Sequence, residues 1–140
     1  MPIQLTTLSA AALLLTLGAA HAAGHAMAPA ITAADQSVAN GVVSAASILA
    51  GENGWLVVHR TDAAMAPGPV VGHAPIRAGE TTDVAAILTE DVAPGEMLML
   101  MVHSEAAGTR TGIFEYTLGA VEDGPVRVDD ALVMTVITAQ

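Results

Sequence analysis

Two apolar runs that each end in a histidine constrain the fold most strongly. The first spans residues 97–102 and is followed by His103, and the second spans residues 55–58 and is followed by His59. Runs of this length, bounded by turn residues and rich in Val, Leu and Met, are typical of strands buried on both faces. We therefore expect two central strands of one small β domain, with a histidine toward the far end of each strand.

Turn signals divide the rest of the chain into short segments, at intervals of about 11 to 16 residues. The glycines of these turn signals are Gly41, Gly54, Gly68, Gly79, Gly95, Gly108 and Gly124. No pattern long enough for a helix follows the first 30 residues. The sequence predicts an all-β fold, an immunoglobulin-like antiparallel β-sandwich of roughly seven or eight strands. A barrel or a jelly roll fits the same pattern of strands and turns.

Three local patterns make more specific predictions. Asn40-Gly41 lies between two strand-like segments, residues 31–38 and 42–49, and predicts a hairpin. Residues 113–116 predict a short strand, and residues 126–138 predict one long terminal strand.

The beginning of the chain has the pattern of an exported protein. The apolar segment 8–20 and the small-x-small sequence at residues 20–22 are typical of a cleaved signal peptide. The apolar segment is too short for a membrane span, which needs about 20 residues. We expect a signal peptide at residues 1–22, a flexible leader at 23–30 and a single domain at 31–140. The protein would be periplasmic or secreted, with no stable membrane span after signal removal.

Charge and cysteine content exclude several classes of function. The chain has 14 acidic residues, four arginines and no lysine, for a formal net charge of −10. Such a surface repels nucleic acid and anionic membranes, so we expect no nucleic-acid partner. The chain contains no cysteine, which excludes disulfides, thiol catalysis and metal sites built on thiolates.

Several short motifs occur in a consistent order along the chain. They are Asp35-Gln36, Gly54-Trp55-Leu56-Val57-Val58-His59, Pro69-Val70-Val71-Gly72, Leu98-Met99-Leu100-Met101-Val102-His103, Phe114-Glu115-Tyr116 and Asp123-Gly124-Pro125. In order and spacing they resemble a family of secreted β-sandwich domains of unknown function, common in exported proteins of salt-loving archaea and found in some bacteria. The resemblance covers residues 31–138. Ser104-Glu105 departs from it, because this family is associated with an apolar residue followed by Asp there. The resemblance implies a sandwich fold and an extracytoplasmic location, and it implies no activity.

The histidines are the strongest candidates for chemistry. If their two strands are neighbours, His59 and His103 could share one end of the sandwich, and imidazole nitrogen binds zinc and copper. His73, Glu105 or Asp62 would then supply a third ligand. The competing interpretation is that each histidine is a hydrogen-bonded structural residue at the end of a strand.

Methionines alternate along the same strand as His103. Met97, Met99 and Met101 lie on one face of that strand, in step with His103. A thioether together with imidazole suits Cu⁺, which makes Met101 a candidate ligand. Methionine is also a flexible core filler, and alternating Met and Leu fits a strand buried on both faces.

No catalytic set is recognisable in the sequence. There is no G-x-S-x-G motif, and Ser104 and His103 point to opposite faces because they are adjacent on a strand. We expect a non-enzymatic, exported binding or structural module without a cofactor, whose partner is an unidentified extracytoplasmic protein or small ligand. The alternative is a periplasmic copper- or zinc-binding protein that uses His59 and His103. The metal hypothesis requires their nitrogens to lie within about 5 Å of each other and to be open to water.

Overall fold

The computed structural model describes residues 27–140, so the predicted signal peptide and half of the predicted leader, residues 23–26, lie outside the described residues. This part of the chain contains no helix, and the predicted all-β fold is confirmed. The nine strands are β1 (Ala30–Thr32), β2 (Val42–Ala50), β3 (Gly54–Thr61), β4 (Val70–Ile76), β5 (Gly79–Leu88), β6 (Met97–Ser104), β7 (Arg127–Val128), β8 (Ala131–Leu132) and β9 (Met134–Thr138). From Met27 to Gln140, then, no helix has the length and apolar character that crossing a membrane requires.

Seven strands form one antiparallel sheet in the order β1-β2-β5-β4-β3-β6-β9, while β7 and β8 form a separate hairpin. The sheet curls so far that β1, at one edge, contacts β6 and β9 at the other. Gln36 and Ala139 form a parallel bridge across this gap, and the N–H of Thr138 donates to the Asp35 carboxylate at 2.7 Å. The sheet is thus nearly a barrel, and its facing halves are consistent with the two layers of the predicted sandwich.

The main core lies inside the curled sheet and is built from alternate residues of the strands. Leu56 and Val58 of β3 and Leu98, Leu100 and Val102 of β6 all face it and are fully or almost fully buried. Burying one such side chain contributes about 1.5–3 kcal/mol relative to leaving it in water. The inward-facing half of the two histidine-terminated runs therefore stabilises the barrel-like interior.

The other half of each run is buried on the outer face of the sheet. Trp55, Val57 and His59 of β3 alternate with the core residues and are as well buried as those residues are. They lie beneath residues 105–126, which we call the covering segment: Phe114 of this segment packs against Trp55 with ring centroids 5.4 Å apart. The prediction that both runs are buried on both faces is confirmed, and the covering segment is the reason.

The predicted strand at residues 113–116 is wrong, because these residues belong to the covering segment and pair with no strand. Phe114 and Tyr116 pack onto the sheet below them instead. The N–H of Glu115, which a strand would donate to its neighbour, donates to the Asp123 carboxylate at 2.8 Å. The same alternation of apolar and polar residues can therefore belong to a strand of a sheet or to an irregular segment that packs on the face of a sheet.

The two other local predictions are correct only in part. Residues 126–138 divide into β7, β8 and β9, because Asp129 (φ 48°) and Asp130 (φ 65°) adopt left-handed conformations that turn the chain. Gly41 makes the predicted turn with φ 74°. However, β1 ends early, at Thr32, and the following residues run toward the C-terminal edge rather than along β2.

Gly54 offers a direct test of how closely β3 and β6 approach. It is paired with Ser104, and a Cβ atom at Gly54 would collide with the carbonyl oxygen of His103. A Cβ atom at Gly51, in the same turn, would meet nothing within 4 Å. We expect Gly54→Ala to lower the free energy of unfolding by about 1–3 kcal/mol and Gly51→Ala to change it by less than about 0.5 kcal/mol. Urea denaturation measures both values, and equal stability of the two variants would contradict the close approach.

Candidate functional site

His59 and His103 meet on the outer face of the sheet. Their Nε2 atoms lie 3.3 Å apart, and their rings are inclined by 29° with centroids 5.4 Å apart. The two residues, which we call the histidine pair, are therefore brought together, as predicted for neighbouring strands. They do not share one end of the sandwich, and that part of the prediction is wrong.

The register of β3 and β6 explains this difference. Because the strands are antiparallel, His59 lies opposite Met99 while His103 lies opposite Trp55. The two histidines are therefore at opposite ends of the strand pair, and their rings lean toward the middle, where Val57 faces Met101. The β3–β4 pairing shifts register between Val58 and His59, and such a bulge is a common way to redirect a side chain.

Both Nδ1 atoms are occupied by hydrogen bonds to main-chain carbonyls. His59 Nδ1 donates to the oxygen of Gly68 at 2.8 Å, and His103 Nδ1 donates to the oxygen of Asp123 at 2.6 Å. A carbonyl oxygen only accepts, so each Nδ1 carries a hydrogen, and a neutral imidazole has only one N–H. Both Nε2 atoms therefore present bare lone pairs to each other, an arrangement that is complementary to a positive species placed between them.

Burial keeps the pair neutral at neutral pH. His59 is 0% and His103 is 1% exposed. Desolvation lowers the pKa of His59, and it lowers the pKa of His103 to about 4, an effect that the hydrogen bond to Asp123 opposes and the neighbouring His59 reinforces. Desolvation therefore favours the neutral form of both imidazoles.

Aromatic rings of the covering segment seal the pair from water. The nitrogens therefore meet the distance that the metal hypothesis requires, but they are not open to water, which it also requires. The Tyr116 ring stands edge-on to both imidazoles, with its centroid 4.5 Å from that of His103 and 5.9 Å from that of His59. Phe114 lies farther out, stacked on His73 at 4.3 Å. The sequence interpretation treated Phe114 and Tyr116 only as strand residues. The signal for their role was that the chain has just three aromatic residues, and all three pack around the histidines.

Asp123 attaches the covering segment to the histidine pair, a role that the sequence interpretation, which saw only a rigid turn there, missed. Its N–H donates to the oxygen of Ala106 at 2.8 Å, its carbonyl accepts from His103, and its Oδ2 accepts from Glu115. Asp123 is 0% exposed, and its Oδ1 has no hydrogen-bond partner.

Glu115 organises the outer part of the same segment. Its carboxylate accepts hydrogen bonds from the N–H and the hydroxyl of Thr109 at 2.6 and 2.5 Å and from the N–H of Arg110 at 3.0 Å. The hydroxyl bond, followed by the bond from Arg110, lowers the pKa of Glu115. Two carboxylates therefore satisfy main-chain donors that an irregular segment leaves without strand partners.

The remaining candidate ligands do not join the histidine pair. His73 is exposed and stacks on Phe114, where desolvation lowers its pKa. Glu105 accepts from the N–H of Gly112 at 3.0 Å, and Asp62 accepts from the N–H of Ala64 at 2.8 Å. Across residues 27–140, no group of three or more His, Asp or Glu side chains is placed to hold a metal ion. Met101 is buried on the same face as the pair and lies midway between the two histidines in the strand register.

A nearly closed antiparallel sheet whose outer face holds a sealed histidine pair defines a small all-β domain of the sandwich type. Residues 29–140 match the family described as a domain of unknown function, DUF7282, and the chain belongs to this family. No curated protein and no solved structure matches the chain. The predicted membership of a domain family of unknown function is thereby confirmed, while export and the link to salt-loving archaea stay predictions.

Replacing Asp123 tests its role as the attachment point. Asp123→Ala removes the carboxylate that accepts from the half-buried Glu115 N–H, and the loss of a hydrogen bond to a charged group costs about 1.5–3 kcal/mol. We expect faster amide hydrogen exchange in residues 105–126 and a free energy of unfolding lower by about that amount. Glu122→Ala, at the neighbouring position, is the matched control. Unchanged exchange in the covering segment of Asp123→Ala would contradict the assigned role.

Acid should destabilise the protein through the histidine pair. The pKa of His103 is about 4 in the folded state and about 6.5 in an unfolded chain, so the unfolded state binds more protons between these values. The free energy of unfolding should be constant above about pH 6.5 and should decrease as the pH falls toward 4, by up to about 1.4 kcal/mol per pH unit for each proton.

Carboxylates contribute little above about pH 5, so urea denaturation between pH 6.5 and 5 isolates the histidines. The double variant His59→Leu/His103→Leu should lose most of the pH dependence in this window. His73→Ala should keep the part that the pair contributes and lose only the contribution of His73, whose pKa desolvation also lowers. An equal slope in the wild type and the double variant would show that the pair does not titrate as described.

Proposed function

We propose that this chain is an exported, non-enzymatic module that binds a cation through the histidine pair. The observation that supports the proposal is the approach of two bare Nε2 atoms to 3.3 Å while both Nδ1 atoms donate to carbonyls. A pair that served only to hold strands together would be expected to place a hydrogen between the two nitrogens, because buried polar atoms are normally paired. Here the carbonyls of Gly68 and Asp123 fix the tautomers that remove this hydrogen.

Burial of the pair supports a binding role over catalysis. A general acid, base or nucleophile must come within hydrogen-bond distance of a substrate atom. His59 and His103 are 0% and 1% exposed, and Tyr116 lies across both rings. Both nitrogens can bind one ion at this separation, whereas an organic substrate could not reach them without displacing Tyr116.

Charge and the predicted signal peptide support a role outside the cytoplasm. The signal pattern at residues 1–22 directs a chain to export, where free cations reach a protein surface directly. The net charge of −10 concentrates cations around the domain and raises the rate at which they encounter it. Both properties favour a cation as the ligand over an anion, a nucleic acid or an anionic membrane.

Cation binding can be tested by its effect on stability. A ligand that binds only the folded state, at a free concentration 100 times its Kd, raises the free energy of unfolding by about 2.7 kcal/mol. At pH 7 we expect at least one of Zn²⁺, Ni²⁺, Cu²⁺ or Cu⁺ to raise Tm saturably in the wild type, and none to do so in His59→Leu/His103→Leu.

His73→Ala is the matched control, because it removes a histidine that stands outside the pair, and it should respond as the wild type does. If every cation acts equally on the wild type and the double variant, the pair is structural and the proposed function fails.

A further inference from the structure

We propose that the cation is Cu⁺, bound by the two Nε2 atoms of the histidine pair and the thioether sulfur of Met101. This inference rests on the proposed function, because it names the ion that the pair takes. It follows from four properties of the site: the separation of the nitrogens, their outer hydrogen bonds, the softness of the neighbouring donors and the absence of compensating charge.

The separation of the two nitrogens fits one shared metal ion. Imidazole nitrogens bind first-row metal ions at about 2.0–2.1 Å, so two of them on one ion lie about 3.3–3.6 Å apart, from tetrahedral to trigonal geometry. The Nε2 atoms of His59 and His103 are 3.3 Å apart. The separation of the two nitrogens therefore already matches that of two ligands on one ion.

The outer hydrogen bonds are those that metal-binding histidines use. A histidine that binds a metal through one nitrogen almost always donates its other N–H to a carboxylate, a carbonyl or water, which fixes the tautomer and the ring orientation. Both members of the pair donate to main-chain carbonyls, of Gly68 and Asp123. The ligand atoms are thus oriented before any ion arrives, so the two side chains lose little conformational entropy on binding.

The third donor available on this face is a thioether. Met101 is 1% exposed, lies on the outer face with the histidines, and occupies the register position between them. Met99, directly opposite His59, is buried on the same face. No carboxylate or further imidazole of residues 27–140 completes a three-ligand group with the pair. Thioether and imidazole together form a soft donor set, which selects Cu⁺ over harder divalent ions.

The charge of the ion leads to the same choice. Two imidazoles and a thioether are neutral, so the full charge of the ion stays in a site that water does not reach. The desolvation cost of an ion rises steeply with its charge and is reduced only by paired charges or hydrogen bonds. Cu⁺ carries half the charge of Zn²⁺, and Zn²⁺ also requires four ligands. The site therefore favours Cu⁺.

The ion must enter through the covering segment, because Tyr116 lies over the pair. Two buried polar side-chain atoms among the described residues lack a hydrogen-bond partner, Trp55 Nε1 and Asp123 Oδ1, and both belong to this interface. Such incompletely satisfied contacts mark a region that opens locally before the rest of the fold. Binding of Cu⁺ should accordingly be slower than diffusion and should accelerate in Asp123→Ala.

The test is a competition titration of the exported protein with Cu⁺ under anaerobic, reducing conditions against a chromophoric Cu⁺ chelator, with a parallel Zn²⁺ titration. We expect one Cu⁺ per chain, bound at least about 100-fold more tightly than Zn²⁺. X-ray absorption of the copper-loaded protein should show two nitrogen ligands near 2.0 Å and one sulfur.

Met101→Leu tests the sulfur ligand without removing core volume, since Leu and Met exchange at low cost. We expect it to weaken Cu⁺ binding about 10- to 100-fold. Met97→Leu is the matched control, because Met97 lies on the same face at the start of β6 and farther from the pair, and it should leave affinity unchanged.

The outcomes separate the inference from the function on which it rests. Equal or tighter binding of Zn²⁺, or an X-ray absorption spectrum without sulfur, would overturn the assignment of Cu⁺ and Met101 while cation binding by the pair remains. If neither ion binds stoichiometrically, and His59→Leu/His103→Leu behaves as the wild type, both the inference and the proposed function are wrong.

Discussion

Burial of β3 and β6 on both faces is the constraint on which the rest of the structure depends. Curling of the sheet covers one face, and the chain has to supply a second cover for the other. The covering segment does this without regular secondary structure. Apart from its last residues, which pair with β6, its main-chain donors have no strand partners. Asp123 and Glu115 accept from several of them. Because β3 and β6 are apolar on both faces, they need a covering segment, and that segment needs the carboxylates of Asp123 and Glu115 to accept from its main chain.

The histidine pair lies between these two covers, and we expect it to make the protein less stable than two apolar residues at the same positions would. An apolar pair of the same volume would pack here without facing lone pairs and would not lose stability in acid. Buried polar groups that are only partly satisfied are unfavourable in a low-dielectric interior. Residues that conflict with the surrounding pattern in this way tend to occur at functional sites.

The sequence predicts the elements that depend on local patterns. The unbroken apolar runs that begin at Trp55 and Met97 correctly predict two strands buried on both faces. Because every second residue of a strand faces the same side, Met101 and His103 are also correctly placed on one face of β6. The register is not local: whether His59 lies opposite Met99 or opposite His103 depends on how β3 and β6 are offset, which turns and distant contacts decide. The position of the histidines relative to each other therefore could not be derived.

The covering segment escaped prediction for a different reason. Phe114, Glu115 and Tyr116 alternate as strand residues do, because a segment lying flat on a sheet also turns every second side chain toward it. What distinguishes the two cases is the partner of the main-chain groups, and here that partner is the side chain of Asp123, eight residues beyond Glu115. The sequence marks Asp123 only as part of a turn, since its burial depends on the complete fold.

Asp123 also couples the histidine pair to the covering segment. The Asp123 carbonyl accepts from His103 Nδ1 at 2.6 Å, while its side chain holds the covering segment. A cation at Nε2 withdraws electron density from the imidazole ring, which makes the Nδ1–H a stronger donor and tightens the bond to Asp123. Occupation of the pair and closure of the segment above it should therefore favour each other. Because such coupling is reciprocal, a change that loosens the covering segment would weaken the proposed binding of a cation by the pair, even where it leaves both imidazoles in place.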